Sequence, residues 1–233
     1  MSAAKHTTVL VHGAWHGAWC WERVVAVLES RQCAVRTVEL PSVDAGPNVA
    51  VGLESDAAAV RAVVDEVDGP VLLCGHSYGG MVISKASYRQ PKVSKLVYLC
   101  AFVPESAESL VSIGGGQLAP WIQLKDGGLT LPDLGRAAEL FYADCDSATQ
   151  AWAIGQIRPQ CAEPFSDAVM HPGWKEILST YIVCSADRAM PPDWQRDLFA
   201  PRLNKVVQID SSHSPFLSQP TELAELLITE LLQ

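Results

Sequence analysis

Short, almost wholly apolar runs alternate along this chain with longer segments whose apolar residues recur every three or four positions. Thr7-Thr8-Val9-Leu10-Val11 has the length and β-branched content of a buried strand. A glycine-containing loop over 12–17 then leads to a predicted helix over 19–30, where Trp21, Val24, Val25 and Leu28 share one face. The second strand, 34–40, stops at Pro41. A second helix, 54–67, ends at the turn signal Asp68-Gly69-Pro70. The pattern continues with strand 71–74, helix 79–89 and strand 93–102. Strands 179–186 and 205–209 flank a helix at 193–199, and a last helix covers 220–232. Strands that are apolar on both faces and joined by helices predict an α/β fold: a mostly parallel six-stranded sheet with helices on both sides.

The rhythm fails between Pro104 and Gly173, which holds Gly114-Gly115-Gly116 and two candidate helices, 133–142 and 147–157, and shows no evident strand. About 70 residues are too many for an ordinary loop. The expected organisation is therefore a core formed by 1–103 and 174–233, with a small helical cap, 104–173, inserted over the carboxyl edge of the sheet.

Composition narrows the classes. Of 233 residues, 48% are hydrophobic and 18% charged, which fits a folded globular chain and excludes disordered or fibrous ones. The 17 Lys and Arg against 26 Asp and Glu give a net charge of −9, with no basic cluster to displace counterions from phosphates. No nucleic-acid partner is expected. No run approaches the roughly 20 apolar residues of a membrane helix, and residues 1–8 lack the apolar core of a secretory leader, so neither a membrane nor export is expected and the location predicted is cytoplasmic. The seven cysteines are odd in number and lack CxxC spacing, as reduced core thiols would be.

The chemistry centres on Gly75-His76-Ser77-Tyr78-Gly79, a GxSxG pattern. The pattern alone is weak, and a structural serine in a glycine-rich turn would also fit it. Its place between a strand and a helix is what a nucleophile elbow needs, because small residues two before and two after the serine let strand and helix pass closely. A serine hydroxyl needs a base, and the base needs an orienting acid. Downstream of Ser77 the histidines are His171, inside the suspected cap, and His213, in the loop after the last strand. His213 is the candidate base. Asp187, closing the strand that begins at Ser179, is the candidate acid, with Asp210 and Glu105 as competitors. The oxyanion of acyl transfer needs two N–H donors, for which the amides of Tyr78 and Ala14 are positioned. His12 and His16 fall across a loop without a carboxylate of matching spacing, so no metal is expected, and no cofactor. Trp121, Phe141, Trp152 and His16 are candidates for an apolar pocket at the cap boundary. Lys125, Arg136 and Arg158 leave room for one substrate carboxylate.

Val9 to Trp19, with its paired His-Gly-Ala-Trp tetrapeptides, and Gly75 to Gly80 together resemble one branch of the α/β-hydrolase superfamily, which holds plant methyl esterases, hydroxynitrile lyases and bacterial carboxylesterases. The resemblance runs the length of the chain and implies a triad of Ser77, Asp187 and His213 under a small helical cap. Lyases of this branch carry a threonine at the position of Gly13 and a lysine at that of Ser214, so the pattern here is esterase-like. The implied function is cofactor-free hydrolysis of a small, largely apolar carboxylic ester through an acyl-enzyme. A carbon–carbon lyase, or a ligand-binding receptor with an idle triad, are the alternatives. The expected partner is a small-molecule ester, and the sequence is compatible with a homo-oligomer.

Overall fold

A computed structural model describes residues 6–232, and the leader reading rests largely on residues outside that range. In chain order the elements are β1 (Thr7–Val11), a 3₁₀ turn (Ala18–Trp21), α1 (Glu22–Ser30), β2 (Ala34–Val38), α2 (Leu53–Glu66), β3 (Val71–His76), α3 (Gly79–Ala86) and β4 (Val93–Leu99). Then follow α4 (Leu110–Ile113), β5 (Ile122–Lys125), β6 (Leu129–Pro132), α5 (Ala137–Phe141), α6 (Ser147–Gln156), β7 (Gln160–Cys161) and α7 (Glu163–Ser166). The chain closes with β8 (Ser179–Cys184), α8 (Pro192–Trp194), a π-helical turn (Gln195–Phe199), β9 (Lys205–Ile209), α9 (Pro215–Ser218) and α10 (Pro220–Leu231).

Six strands form one parallel sheet in the order β2-β1-β3-β4-β8-β9. The strands β1, β3 and β8 are buried along their whole length, whereas the edge strands β2 and β9 expose part of theirs. That difference explains why the interior strands read as unbroken apolar runs. From β1 the chain moves outward through α1 to β2, then crosses back over β1 through α2 to β3. Right-handed crossovers in opposite directions put their helices on opposite faces. Accordingly α1 packs with α10 and α2 packs with α3. The reversal lies between β1 and β3, and their carboxyl ends open the crevice where doubly wound sheets bind ligands.

At the end of β3 the strand and α3 pass at backbone contact. A Cβ on Gly75 would stand 2.6 Å from the carbonyl oxygen of Gly79, and one on Gly79 would stand 2.7 Å from that of His12. Backbone cannot yield as a side chain can, so both positions require glycine.

Between β4 and β8 the chain departs from the expectation of helices alone. It carries α4 to α7, but β5, β6 and β7 also form a three-stranded antiparallel sheet. The helices expected at 133–142 and 147–157 are Ala137–Phe141 and Ser147–Gln156. Asp146 caps the second of these by accepting the Thr149 amide, which fixes its start. Among the described residues no helix is long and apolar enough to cross a membrane, and all seven cysteines are free.

Candidate active site

The serine of the elbow has φ 52, a left-handed conformation that a non-glycine residue holds only when its surroundings impose it. Its own N–H donates to the Leu99 carbonyl at 3.2 Å, and its carbonyl accepts from Gly80 at 3.0 Å and Phe102 at 3.1 Å. Ser77 is partly exposed while the residues on both sides are buried. The turn thus lifts its hydroxyl into a cavity of about 460 Å³ that His213, Tyr78 and Ala14 also line.

His213 Nδ1 donates to Asp187 Oδ2 at 2.7 Å, both groups almost wholly buried. Asp187 is held from every side. Its Oδ1 accepts the amides of Ala189 at 2.8 Å and Met190 at 2.9 Å, and its Oδ2 also accepts Gln195 Nε2 at 3.0 Å. Charge-assisted hydrogen bonds of this kind are worth about 1.5–3 kcal/mol each. Gln195 opens the π-helical turn, its Nε2 also donating to the Met190 carbonyl at 2.6 Å and its Oε1 accepting the Cys184 amide at 3.0 Å. The competitor Asp210 is exposed and accepts from Ser185 Oγ at 2.7 Å. Glu105 pairs with Lys175 at 2.6 Å.

The backbone of His213 is pinned too. Its carbonyl accepts His76 Nε2–H at 2.9 Å and the Cys100 thiol at 3.5 Å. A carbonyl only accepts, so His76 carries its proton on Nε2, and its Nδ1 is buried without a partner. Burial, and after it the neighbouring histidines, hold His76 well below the ordinary histidine pKa. Before His213, Asp144 accepts the Ser212 amide at 2.9 Å and Ser211 Oγ at 3.0 Å, fixing the loop.

The two loop histidines are fully engaged. His12 Nδ1 donates to the Gly13 carbonyl at 2.8 Å and Nε2 accepts the Leu40 amide at 3.2 Å. His16 Nδ1 donates to the Ala14 carbonyl at 2.8 Å, and Nε2 accepts the Tyr142 hydroxyl at 2.8 Å. Burial depresses the His16 pKa to about 3, so its ring is neutral. All four ring nitrogens are occupied, which leaves no lone pair for a metal. Among the described residues, the one group of side chains close enough together to hold a metal is His76, Cys100 and His213. There the His213 Nδ1 is committed to Asp187, and burial pushes the Cys100 thiol pKa well up, disfavouring the thiolate a metal needs.

Neither Ala14 nor Tyr78 spends its amide on a protein acceptor among the described hydrogen bonds, although both are buried. Two N–H groups thus remain at the cavity wall. A Cβ on Gly13 would stand 2.7 Å from His76 Nδ1 and 3.0 Å from the Ser77 Cβ, so no larger residue fits there unless the site shifts.

Of the pocket candidates, His16, Trp121 and Phe141 line the cavity. Trp152 does not: it is 41% exposed and stands edge-on against Trp19 at 5.3 Å. Its place on the outer face of α6 turns it to solvent, a placement that its aromatic character did not reveal. Phe102, Phe165, Met190 and Trp194 also line the cavity, brought in from separate parts of the chain. Among the described residues, no Asp, Glu, Lys or Arg side chain lines the cavity. Lys125, Arg136 and Arg158 make their contacts elsewhere.

A family model described as "Alpha/beta hydrolase family" matches residues 8–226. The chain belongs to the alpha/beta hydrolase family. A carbendazim hydrolyzing esterase of Nocardioides sp. (strain SG-4G) is 32% identical over 94% of this chain and 97% of its own length. An alpha-hydroxynitrile lyase of Arabidopsis thaliana is 28% identical, covering 96% of each chain. Among solved structures, a pyrethroid hydrolase from Sphingobium faniae JZ-2 superposes with a TM-score of 0.85 at 27% identity, covering 97% of both chains. Esterases among the hydrolase's relatives support ester hydrolysis as its general chemistry.

Proposed function

We propose that this hydrolase is a cofactor-free serine carboxylesterase acting on a small, neutral, largely apolar ester. Ser77 is the nucleophile, His213 the base and Asp187 the acid that holds His213 in the Nδ1–H tautomer. One observation carries the reading: a buried 2.7 Å His213–Asp187 bond and a serine in a left-handed elbow open onto the same cavity. Segment 104–173 serves as the cap over that cavity, with strands as well as helices.

In the first half-reaction His213 Nε2 takes the Ser77 proton as Oγ bonds to the ester carbonyl carbon. The electron pair moves onto the carbonyl oxygen, and the amides of Ala14 and Tyr78 stabilise it. Donors placed in advance in a water-poor site supply the largest share of such catalysis, and α3 adds its positive N-terminal end. Collapse expels the alcohol, which leaves with the proton from His213. Water, deprotonated by His213, then splits the acyl-enzyme into acid and free serine.

A cavity in which no described residue is Asp, Glu, Lys or Arg favours a neutral substrate, since a carboxylate or phosphate there would lack a described cation to pair with. The lyase reading is disfavoured by Gly13, which offers no hydroxyl, and by Ser214, which is buried and does not line the cavity. Side-by-side kinetics on an aryl acetate, a long-chain lipid ester and mandelonitrile test the proposal. Hydrolysis is expected to be fastest on the aryl acetate and to fall with chain length. Cyanide release faster than ester hydrolysis would overturn the esterase reading, and tight binding without turnover would favour a receptor.

A further inference from the structure

Beneath the site runs a buried hydrogen-bonded chain that the mechanism above does not use. At one end is Trp15, whose φ of 61 is strained for a bulky residue and persists only if neighbours over-determine it. Three neighbours do, all from the cap. Its N–H donates to Gln160 Oε1 at 3.1 Å, its indole N–H to Thr130 Oγ1 at 3.1 Å, and its carbonyl accepts the Arg158 amide at 3.0 Å. The Trp15 N–H and the Ala14 carbonyl form one peptide unit, and His16 Nδ1 holds the other end of it. That unit is therefore gripped at both ends, and it shares the Ala14 Cα with the peptide that carries the Ala14 N–H.

The chain continues inward. Gln160 Nε2 donates to Ser42 Oγ at 2.9 Å, and the Ser42 hydroxyl donates to Asp56 Oδ2 at 2.7 Å. The same carboxylate accepts the Ser42 amide at 2.9 Å and the Tyr78 phenol at 2.6 Å. Ser42, Asp56, Thr130 and Gln160 are all fully buried. Every proton has one direction, because a carboxylate only accepts and three donors converge on it. Trp15 and Tyr78 thus terminate one connected network. One sits beside the first oxyanion donor, and the other supplies the second.

We propose that Gln160, Ser42 and Asp56 are positioning residues, a relay through which the small cap sheet sets the geometry of both oxyanion-binding peptides at once. The proposal rests on the serine-hydrolase reading. The Trp15 ring lines the cavity, in edge contact with Trp121 at 5.8 Å and Phe165 at 5.7 Å, so the residue that meets the substrate is also the one whose backbone the cap grips. In this enzyme the cap does more than cover the site.

The test compares Gln160→Leu with the unaltered protein. Steady-state hydrolysis of an aryl acetate is measured alongside the affinity of two probes. One is an aryl trifluoromethyl ketone, which adds to the serine and places an oxyanion. The other is the matching ether, which has no carbonyl. Deleting an oxyanion donor outright costs about 10²–10³ in kcat, and displacing one costs less. The expected result is therefore a roughly 10- to 100-fold fall in kcat with KM within about twofold. Ketone affinity should fall by the same factor and ether affinity should stay unchanged. If Gln160→Leu does not fold, Ser42→Ala, which removes one oxygen, carries the same test with a smaller loss in the same direction. Undiminished kcat in the folded variant, or equal losses for ketone and ether, would overturn the relay. Ser77→Ala measured in parallel separates the two readings. Activity surviving there would remove the serine mechanism itself, whereas an inactive Ser77→Ala beside an undiminished Gln160→Leu would remove only the relay.

Discussion

Replacing Asp187 by asparagine changes one oxygen to nitrogen and almost no volume, yet the surroundings dictate a specific failure. Oδ1 receives two backbone amides, from Ala189 and Met190. An NH₂ group placed there would meet two fixed donors. The asparagine oxygen must therefore take that side, which turns its NH₂ toward His213 Nδ1 and Gln195 Nε2. Gln195 keeps its bond to the Met190 carbonyl, so it tolerates the exchange. His213 does not: its Nδ1 must now accept, which moves the proton to Nε2, the nitrogen required to take the Ser77 proton. A wrong tautomer in an otherwise intact triad costs about 10⁴ in kcat, or roughly 5 kcal/mol at 1.36 kcal/mol per tenfold. Asp210→Asn, altering an exposed residue bonded to Ser185, should leave turnover within about twofold. The assay is steady-state release of a chromogenic alcohol, with circular dichroism to confirm folding. A folded Asp187→Asn retaining more than a tenth of the activity, or a larger loss at Asp210→Asn, would refute the assignment of the acid.

Ser77→Ala and His213→Ala should each abolish nearly all hydrolysis, and the double variant should lose little more than either, because residues acting as one unit are not additive. Losses that multiply in parallel kinetics of the three variants would contradict a shared proton transfer. Stability should fall in acid. With a folded pKa of about 3 against an ordinary 6.5, His16 stays neutral while the unfolded chain takes up a proton, so stability is full above 6.5 and declines toward pH 3. Between pH 7 and pH 5 this contributes a loss of about 2 kcal/mol. Urea midpoints at both pH values should show it, and His16→Asn should flatten the dependence by that amount.

What the sequence disclosed depended on how local each signal was. The interior strands were readable because burial on both faces leaves apolar runs, as in Val71 to Cys74, and the elbow because its two glycines are demanded by contacts within one strand–helix turn. Asp187 and His213 stand out as candidates through their places after strands, and the fold brings the two within hydrogen-bond distance. The cap sheet was not, since β5 and β6 have four residues each and β7 two, too few to show a period. A signal was nonetheless present: Asp126-Gly127-Gly128, with both glycines at positive φ, forms the turn between β5 and β6. Trp152 is not a wall residue because aromatic character does not say which face of α6 is covered, and its own face is open to solvent. Gln195, Asp144 and the Ser42–Asp56–Gln160 chain join common residue types from distant segments, and only the fold brings them together.

Activation of Ser77 can be read with a fluorophosphonate, which phosphonylates such a serine whatever the natural ester. Intact mass and peptide mapping should show one adduct, on Ser77, formed quickly in the unaltered protein. It should form far more slowly in His213→Ala and be absent in Ser77→Ala. A folded protein that stays unlabelled, or one labelled at another residue with Ser77 untouched, would contradict the account.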